Sequence, residues 1–525
     1  MPDLDAAPDA DAPALAPAVA PRTAVALAVG SGLLYWWGFS FGALWPCSLV
    51  ALAPLLVAVR GRGPAAAAAL GAVTGLVLDL GGFYWLLGML RTFSGFPTPV
   101  CALFTVLLCA YQGGRIAMLT GLTARATRRG WPAGLAFALA FAASELLWPL
   151  LFPWYFGACV HGVPALAQVA DLGGPYLVSL VLVAPSLALA ELWLARRERR
   201  PAEARWVAAA LAVPALAALY GAVRIRQVDA AVQAAPSVKV GLVQGDMPLV
   251  QRRGDRAESL RRHRTMTAEL RDRGAELVVW SEAAVTIDLP EADYQKMSER
   301  IVTRDLRVAT VFGAVLTRRA PGAFVAYNTA LSADAGGKVR GRYDKEFLLA
   351  FGEYLPFGEQ LPVLYDWSPN SGHLTPGTRN DPIDVDGHRV TAFICYEDIL
   401  PSFVNAAVRH GQPEMLVNLT NDAWFGDTTE PWIHLALAKF RAIEHRRYLL
   451  RATNSGVSAV VDPVGRVVAH GGTFRPETVE ATAHWLSPGR TGYEIWGDAP
   501  WWLASAAVVA MGFLSRRRGR PPLRS

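Results

Sequence analysis

Three residues in the second half of this chain could together open and remake a carbonyl bond: Cys395, Glu282 and Lys345. Cys395 ends the run V-T-A-F-I-C and is followed at once by Y-E-D. That run is apolar and β-branched, the pattern of a buried strand. A thiol at a strand-to-turn junction is fixed by the sheet and can still face a cleft. The plain alternative is a buried strand cysteine that serves as a small hydrophobe. Glu282 and Lys345 argue against it. Glu282 ends the strand pattern A-E-L-V-V-W-S-E, and Lys345 follows V-R-G-R-Y-D. Strand ends are where open α/β sheets gather their sites. A carboxylate can take the thiol proton at close range. A lysine ammonium, with the backbone N–H of the residue after Cys395, can hold the oxyanion of a tetrahedral intermediate.

The elements that must position these residues alternate between strand and helix. Residues 237–244 read as a strand and Arg256 to Arg273 as a charged helix. Strands follow at 275–282 and from Val308 to Leu316. A hairpin turns at Gly336-Gly337, and strands deliver Cys395 and cover 414–422. Leu435 to Arg447 is helical, and a late hairpin begins near Asn454. Recurrent βα units with added hairpins indicate an α/β sandwich.

The rest of the chain is of another kind. Of 525 residues, 53% are hydrophobic and 18% charged, too apolar for one soluble enzyme and too charged for a bare membrane bundle. The apolar excess lies before about Arg224 and after about Pro500. Seven spans fit near 23–40, 43–59, 65–90, 98–122, 131–151, 174–195 and 205–223, and an eighth near 499–514. Each approaches the 17–25 residues that cross a bilayer. The organisation expected is a disordered tail over 1–22, a multi-pass helical membrane domain over 23–224, an α/β domain over 225–498, and a last span with a basic tail over 499–525.

The net charge of +6 comes largely from arginines beside apolar segments, which points to membrane orientation and not to nucleic acid. Arg60, Arg62, Arg125, Arg128, Arg129, Arg196, Arg197, Arg199 and Arg200 fall in alternate loops, and Arg516, Arg517, Arg518 and Arg520 follow the last span. Both termini are then cytoplasmic and 225–498 lies outside. Of the five cysteines, Cys47, Cys101, Cys109 and Cys159 sit in or beside apolar segments; Cys395 has no disulfide partner in its own domain. Glu145, within the fifth span, reads either as a functional carboxylate or as a hydrogen bond between helices. The aromatics of F-P-W-Y-F-G read as an interfacial belt or as a lipid-entry surface. The nine histidines form no HExxH or paired metal spacing, so no metal or cofactor is expected.

Taken in order, W-S-E, Y-D-K and C-Y-E resemble the nitrilase superfamily, whose members use a Glu-Lys-Cys triad in an αββα sandwich. The longer motifs F-G-E-Y-L-P-F-G, T-N-D-A-W-F-G and L-L-R-A-T-N-S-G-V-S resemble its membrane-bound branch, the apolipoprotein N-acyltransferases. The resemblance runs from about the third span to the eighth. It implies Glu282 as base, Lys345 as oxyanion cation and Cys395 as nucleophile. It implies that Glu353 orients Lys345 and the incoming amine, that Tyr396 and Glu397 line the pocket, and that Trp424 supports substrate binding. After V-Q-G-D-M-P the family often has a Trp, where this chain has Arg252 and Arg253. The stretch before span eight, R-T-G-Y-E-I-W-G-D-A-P, matches only loosely.

The implied reaction moves a fatty acyl chain from a phospholipid to Cys395 and then to the α-amine of a diacylglyceryl-cysteine lipoprotein. It implies a monomer in a bacterial inner membrane, with the catalytic domain periplasmic. Two other classes compete. A membrane-tethered amidase would use water as second nucleophile, and an apolar cleft toward the bilayer would argue against it. A transporter or receptor would need a broken triad and a polar path through the spans. The arginine asymmetry makes a direct prediction. A reporter active only in the cytoplasm should work when fused after Ser525 and be silent when inserted near Pro321; the reverse pattern would overturn the orientation.

Overall fold

The computed structural model describes residues 16–515, except 249–252, 321–322, 351, 359, 368–370 and 488. Most of the expected N-terminal tail, Arg252 and the last arginine cluster thus lie outside the described residues.

The membrane part comprises α1 (Pro21–Ser40), α2 (Ala53–Val59), α3 (Pro64–Gly82), α4 (Leu86–Ser94), α5 (Thr98–Arg128), α6 (Ala133–Leu147), α7 (Pro164–Ala167), α8 (Ala170–Arg197) and α9 (Ala204–Ala234). Among the described residues, five helical stretches are long and apolar enough to cross a bilayer: Gly42–Val59, Pro64–Gly82, Thr98–Arg128, Ala170–Arg197 and Ala204–Ala234. The third expected span is not one helix. The chain turns at Phe83–Trp85 between α3 and α4, and Phe83 and Trp85 are buried there. Hydropathy runs straight through this break because aromatic residues are themselves apolar. α9 also continues past Arg224 to Ala234, leading directly into the first strand.

The bundle encloses a buried ion pair. Arg115 of α5 is 1% exposed. It donates to the Tyr35 hydroxyl at 3.0 Å and pairs with Glu145 at 3.4 Å. Its guanidinium lies 4.1 Å from the Trp154 ring centroid. Glu145 also accepts the Phe156 N–H at 2.7 Å. Glu145 is therefore a structural tie between helices and the F-P-W-Y-F-G segment, since a buried charge must be paired. That segment is no simple interfacial belt. Trp154 and Phe156 pack inward, while Phe152 meets Trp85 and, across the domain boundary, Phe425, edge to face.

The α/β part contains β1 (Ser237–Gln244), α10 (Arg253–Asp272), β2 (Leu277–Trp280), β3 (Val285–Pro290), α11 (Tyr294–Met297), β4 (Ala309–Ala320), β5 (Ala323–Ala333), β6 (Val339–Asp344) and α12 (Val363–Trp367). Then come β7 (Ile383–Val385), β8 (His388–Ile394), α13 (Pro401–Gly411), β9 (Met415–Thr420), α14 (Glu430–His445), β10 (Leu449–Thr453), β11 (Ala459–Val461), β12 (Val467–His470) and β13 (Glu477–His484). α15 (Gly492–Trp496) and α16 (Ala499–Phe513) return to the membrane part. One sheet runs β13-β1-β2-β4-β5-β6 with β3 beside β4; the other runs β12-β11-β10-β9-β8-β7.

Alternation builds the layers. Leu277 and Val279 of β2 join the core that both sheets share, with Ala392 and Val417. Val278 and Trp280 face the opposite way, onto Leu270 of α10. α13 and α14 cover the second sheet through Val404 and Ala438. This is the expected αββα sandwich. β1, β2 and β4 are parallel, as are β8, β9 and β10. Their C-terminal ends gather at one edge, where the site lies.

α14 also fastens this domain to the bundle. Lys439 donates to the His161 carbonyl at 2.7 Å. Arg446, just past α14, pairs with Asp171 of α8 at 2.6 Å, and Arg224 of α9 reaches the same carboxylate at 2.9 Å.

Candidate active site

β8 carries Cys395 into a tight helical turn over residues 395–399, and Cys395 itself has φ +55°. A side chain rarely adopts this left-handed conformation, and it survives only where its surroundings enforce it. Two hydrogen bonds enforce it here. Asn418 of β9 donates to the Cys395 carbonyl at 2.9 Å, and the Ile394 N–H donates to Glu397 at 2.8 Å.

Lys345 follows β6, its N–H bonded to the Asn328 carbonyl of β5 at 2.8 Å. Its ammonium is 1% exposed and lies 2.8 Å from Glu353 and 3.5 Å from Glu282. Glu282 sits in the turn after β2, beside Ala283 at φ +48°. Gly313 lets β4 pass under that turn, because a Cβ there would meet the Ala283 nitrogen and Ser281 carbonyl at 2.5 Å. Glu353 also accepts the Leu349 N–H at 2.7 Å. Asn328 donates its amide N–H groups to Glu282 at 2.7 Å and to Glu353 at 3.0 Å.

The charges set one another. Burial works against the Lys345 ammonium, but Glu353 and Glu282 outweigh it and hold its pKa well above the usual value. Burial lifts Glu282 above the ordinary carboxylate range, with Lys345 pulling the other way and Glu353 adding to the rise. Burial and the Glu282 charge push the Cys395 thiol up, against Lys345. A thiol at rest beside a raised carboxylate and a fixed ammonium is suited to general-base attack on a carbonyl.

Two cavities meet at Cys395 and Leu349. One holds the polar groups of the site among apolar neighbours, with about 500 Å³ of internal space, and is bordered by Glu282, Asn328, Lys345, Glu353 and Trp424. The other is apolar and narrow, with about 40 Å³ of internal space, and runs to Phe83, Trp85, Phe152 and Trp154 of the membrane part. Tyr396 borders the apolar cavity, with its hydroxyl on the Leu348 carbonyl at 3.1 Å.

Glu397 does not line either cavity. It is wholly buried behind the site and accepts from the Tyr343 hydroxyl at 2.8 Å and the N–H groups of Glu346 at 2.8 Å and Phe347 at 3.0 Å. With its bond from Ile394, this carboxylate ties the Lys345 turn to the Cys395 turn. Burial lifts its pKa to about 7, against the Lys345 charge and the donated N–H groups. The donors are distant in sequence, so the motif alone suggested a pocket residue.

A buried ionic group behind the nucleophile also escaped sequence reading. Asp398 and Asp422 each bond both His434, at 3.0 Å and 3.0 Å, and Arg451, at 2.8 Å and 3.0 Å. Burial opposes the His434 charge, as does Arg451, yet the two aspartates lift its pKa to about 9. Asp422, Glu430 and His434 cluster closely enough to suggest a cation site. Both His434 nitrogens, however, face carboxylates and so carry hydrogens, leaving no lone pair for a metal. Asp398, Asp422 and Arg451 all stood inside recognised motifs. Only their pairing, which is non-local, was illegible.

Residues 31–188 match the family model for the apolipoprotein N-acyltransferase N-terminal domain, and residues 230–484 match that for carbon-nitrogen hydrolases. An apolipoprotein N-acyltransferase of Ralstonia nicotianae is 32% identical over 508 residues, covering 94% of this chain and 93% of its own. The chain belongs to the apolipoprotein N-acyltransferase family. Another family member, from Geobacter metallireducens, is 29% identical and covers 97% of this chain and 96% of its own. Among solved structures, an amidase from Nesterenkonia sp. aligns with 47% of this chain and 90% of its own at 22% identity, with a TM-score of 0.36, too low to argue from.

The role of Glu397 is testable. Glu397→Gln turns an amide NH₂ toward N–H donors, leaving buried groups unsatisfied at a cost of about 1–3 kcal/mol. The variant should melt lower, and its loosened Cys395 turn should react faster with a small thiol reagent than the wild type. Unchanged melting and unchanged alkylation would reduce Glu397 to a passive core residue.

Proposed function

We propose that this protein is a membrane acyltransferase that carries a fatty acyl chain on Cys395, from a phospholipid to the N-terminal α-amine of a diacylglyceryl-cysteine lipoprotein. The observation that carries this reading is the apolar cavity that joins Cys395 to the aromatics of the membrane part. A soluble amide substrate needs no such passage, which counts against the amidase reading. Family membership supports acyl transfer to a lipoprotein, after the name its relatives bear.

The first half-reaction uses the ester of the phospholipid. Glu282 takes the thiol proton as the sulfur attacks the ester carbonyl. The oxyanion forms beside the Lys345 ammonium and the Tyr396 N–H, which lies in the first turn of the 395–399 segment and has no acceptor within it. The C–O bond breaks, and the departing alkoxide takes the proton from Glu282 to leave as lysophospholipid. In the second half the α-amine attacks the thioester. A C–N bond forms, the C–S bond breaks, and the amine proton passes by way of Glu282 to the sulfur. An amide is more stable than a thioester, so the sequence runs forward. An α-amine with pKa of about 8 is partly neutral near pH 7.

Glu353 is the orienting group in this scheme: it shares the ammonium with Glu282 and keeps the Lys345 charge aimed at the site. The Arg-rich alternate loops support an orientation with both termini in the cytoplasm and the α/β domain outside, where lipoproteins are exposed.

Mixing the wild type with phospholipid alone should release a burst of about one equivalent of lysophospholipid per enzyme, the signature of a covalent intermediate. Cys395→Ala should show none. Lysophospholipid that appears only once an acceptor is present would contradict the two-step scheme.

A further inference from the structure

The polar cavity contains hydrogen-bonding groups that the acyl-transfer scheme leaves unused. The first is the side-chain carbonyl of Asn328. Its amide orientation is fixed, because Glu282 and Glu353 can only accept, so the NH₂ must face both carboxylates. The oxygen Oδ1 is then buried without a partner among the described residues, on a side chain that borders the cavity. The second is His263 of α10. Its Nδ1 lies 2.8 Å from the Ser259 carbonyl, which can only accept, so Nδ1 carries the hydrogen. Nε2 is left as a bare acceptor, also unpartnered among the described residues, on a ring that borders the same cavity. Burial, with Arg262 adding to it, holds the ring neutral, with a pKa of about 4.

A buried acceptor with no donor costs free energy, so native proteins rarely keep one without a ligand or water to fill it. Here two such acceptors belong to side chains that border one cavity, as does the raised carboxylate Glu282. The reacting ester of a phospholipid has no N–H to offer them, and an ethanolamine headgroup has only its one ammonium. A peptide N-terminus has a series: the α-amine, then the backbone amides that follow.

We infer that the polar cavity is the subsite for the acceptor's peptide, with Asn328 Oδ1 receiving an N–H of the attacking α-amine and His263 Nε2 receiving a backbone N–H further along the chain. This rests on the acyl-transfer reading and divides the two substrates between the two cavities. The neutral amine has two hydrogens. Asn328 holds one while Glu282 receives the other as the C–N bond forms, which points the nitrogen lone pair at the thioester carbon.

The test uses the full-length protein, a phospholipid donor, and two synthetic diacylglyceryl-cysteinyl peptides. One is unmodified; the other is N-methylated at the backbone amides after the cysteine, which removes those N–H donors. Lysophospholipid release without acceptor measures the first half, and amide formation against peptide concentration measures the second. For the wild type, N-methylation should raise the KM for the peptide roughly fivefold, the worth of one neutral hydrogen bond. His263→Phe keeps the ring and removes the acceptor. It should show the raised KM with the unmodified peptide and no further loss with the methylated one. Asn328→Ser disturbs Glu282 and Glu353 and slows both halves, but it should slow amide formation roughly tenfold more than lysophospholipid release. An unaltered KM in His263→Phe, or equal slowing of both halves in Asn328→Ser, would overturn the inference while leaving the thioester scheme intact. Absence of any lysophospholipid burst in the wild type would overturn both.

Discussion

A lysine ammonium buried to 1% exposure is the constraint on which the rest of this site depends. Such a charge is tolerable only when it is paired and hydrogen-bonded. Glu353 and Glu282 supply the pairing, and Asn328 holds both acids in place from β5. The same arrangement raises the affinity of Glu282 for a proton, because burial and a second carboxylate act together on it. A stronger base next to a fixed cation is what a thiol nucleophile requires. Glu397 extends the constraint to Cys395: its carboxylate takes backbone donors from the turns of both Lys345 and Cys395, so neither turn can move without the other. The strained backbone at Cys395 is thereby held by bonds to groups in three strands and turns.

The ionic group behind the nucleophile serves the second sheet in a similar way. Asp398 belongs to the Cys395 turn and Asp422 to the turn that carries Trp424 and Phe425. His434 and Arg451 bind both acids, so two cations and two anions close on each other in the core. Phe425 then meets Trp85 and Phe152 of the membrane part. The chain of contacts from nucleophile to bundle is continuous, and the apolar cavity lies along it.

Sequence was informative where a residue's surroundings are local. β8 is buried on both faces from Val390 onward and reads as the largely apolar run V-T-A-F-I, at the end of which Cys395 stands out. The hairpin at Gly336-Gly337 was legible because Gly337 needs φ +83°, which glycine adopts freely. β13 was missed because E-T-V-E-A-T-A-H alternates weakly at a sheet edge, where polar residues are tolerated. β10 went unread as a strand because Arg451 interrupts L-L-R-A-T, and only its distant aspartates explain a buried arginine there. Arg115 and Glu145 pose the same problem inside the bundle. Each looks costly alone, and together with Tyr35 they form one paired, hydrogen-bonded group. Glu282, Lys345 and Glu353 were singled out by motif. Asn328, which binds two of them, was not, since an asparagine in Y-N-T-A has no distinguishing spacing.

The central claim is that Cys395 bears the acyl group as a thioester that an amine can discharge. Intact-protein mass spectrometry after brief exposure to phospholipid tests it most directly. The account predicts one acyl mass on the wild type, mapped to Cys395 and released by neutral hydroxylamine. It predicts that adding a diacylglyceryl-cysteinyl peptide consumes the adduct and yields an equal amount of N-acyl peptide. An adduct that the peptide cannot discharge, or N-acyl peptide formed by a protein that never carries acyl at Cys395, would contradict it.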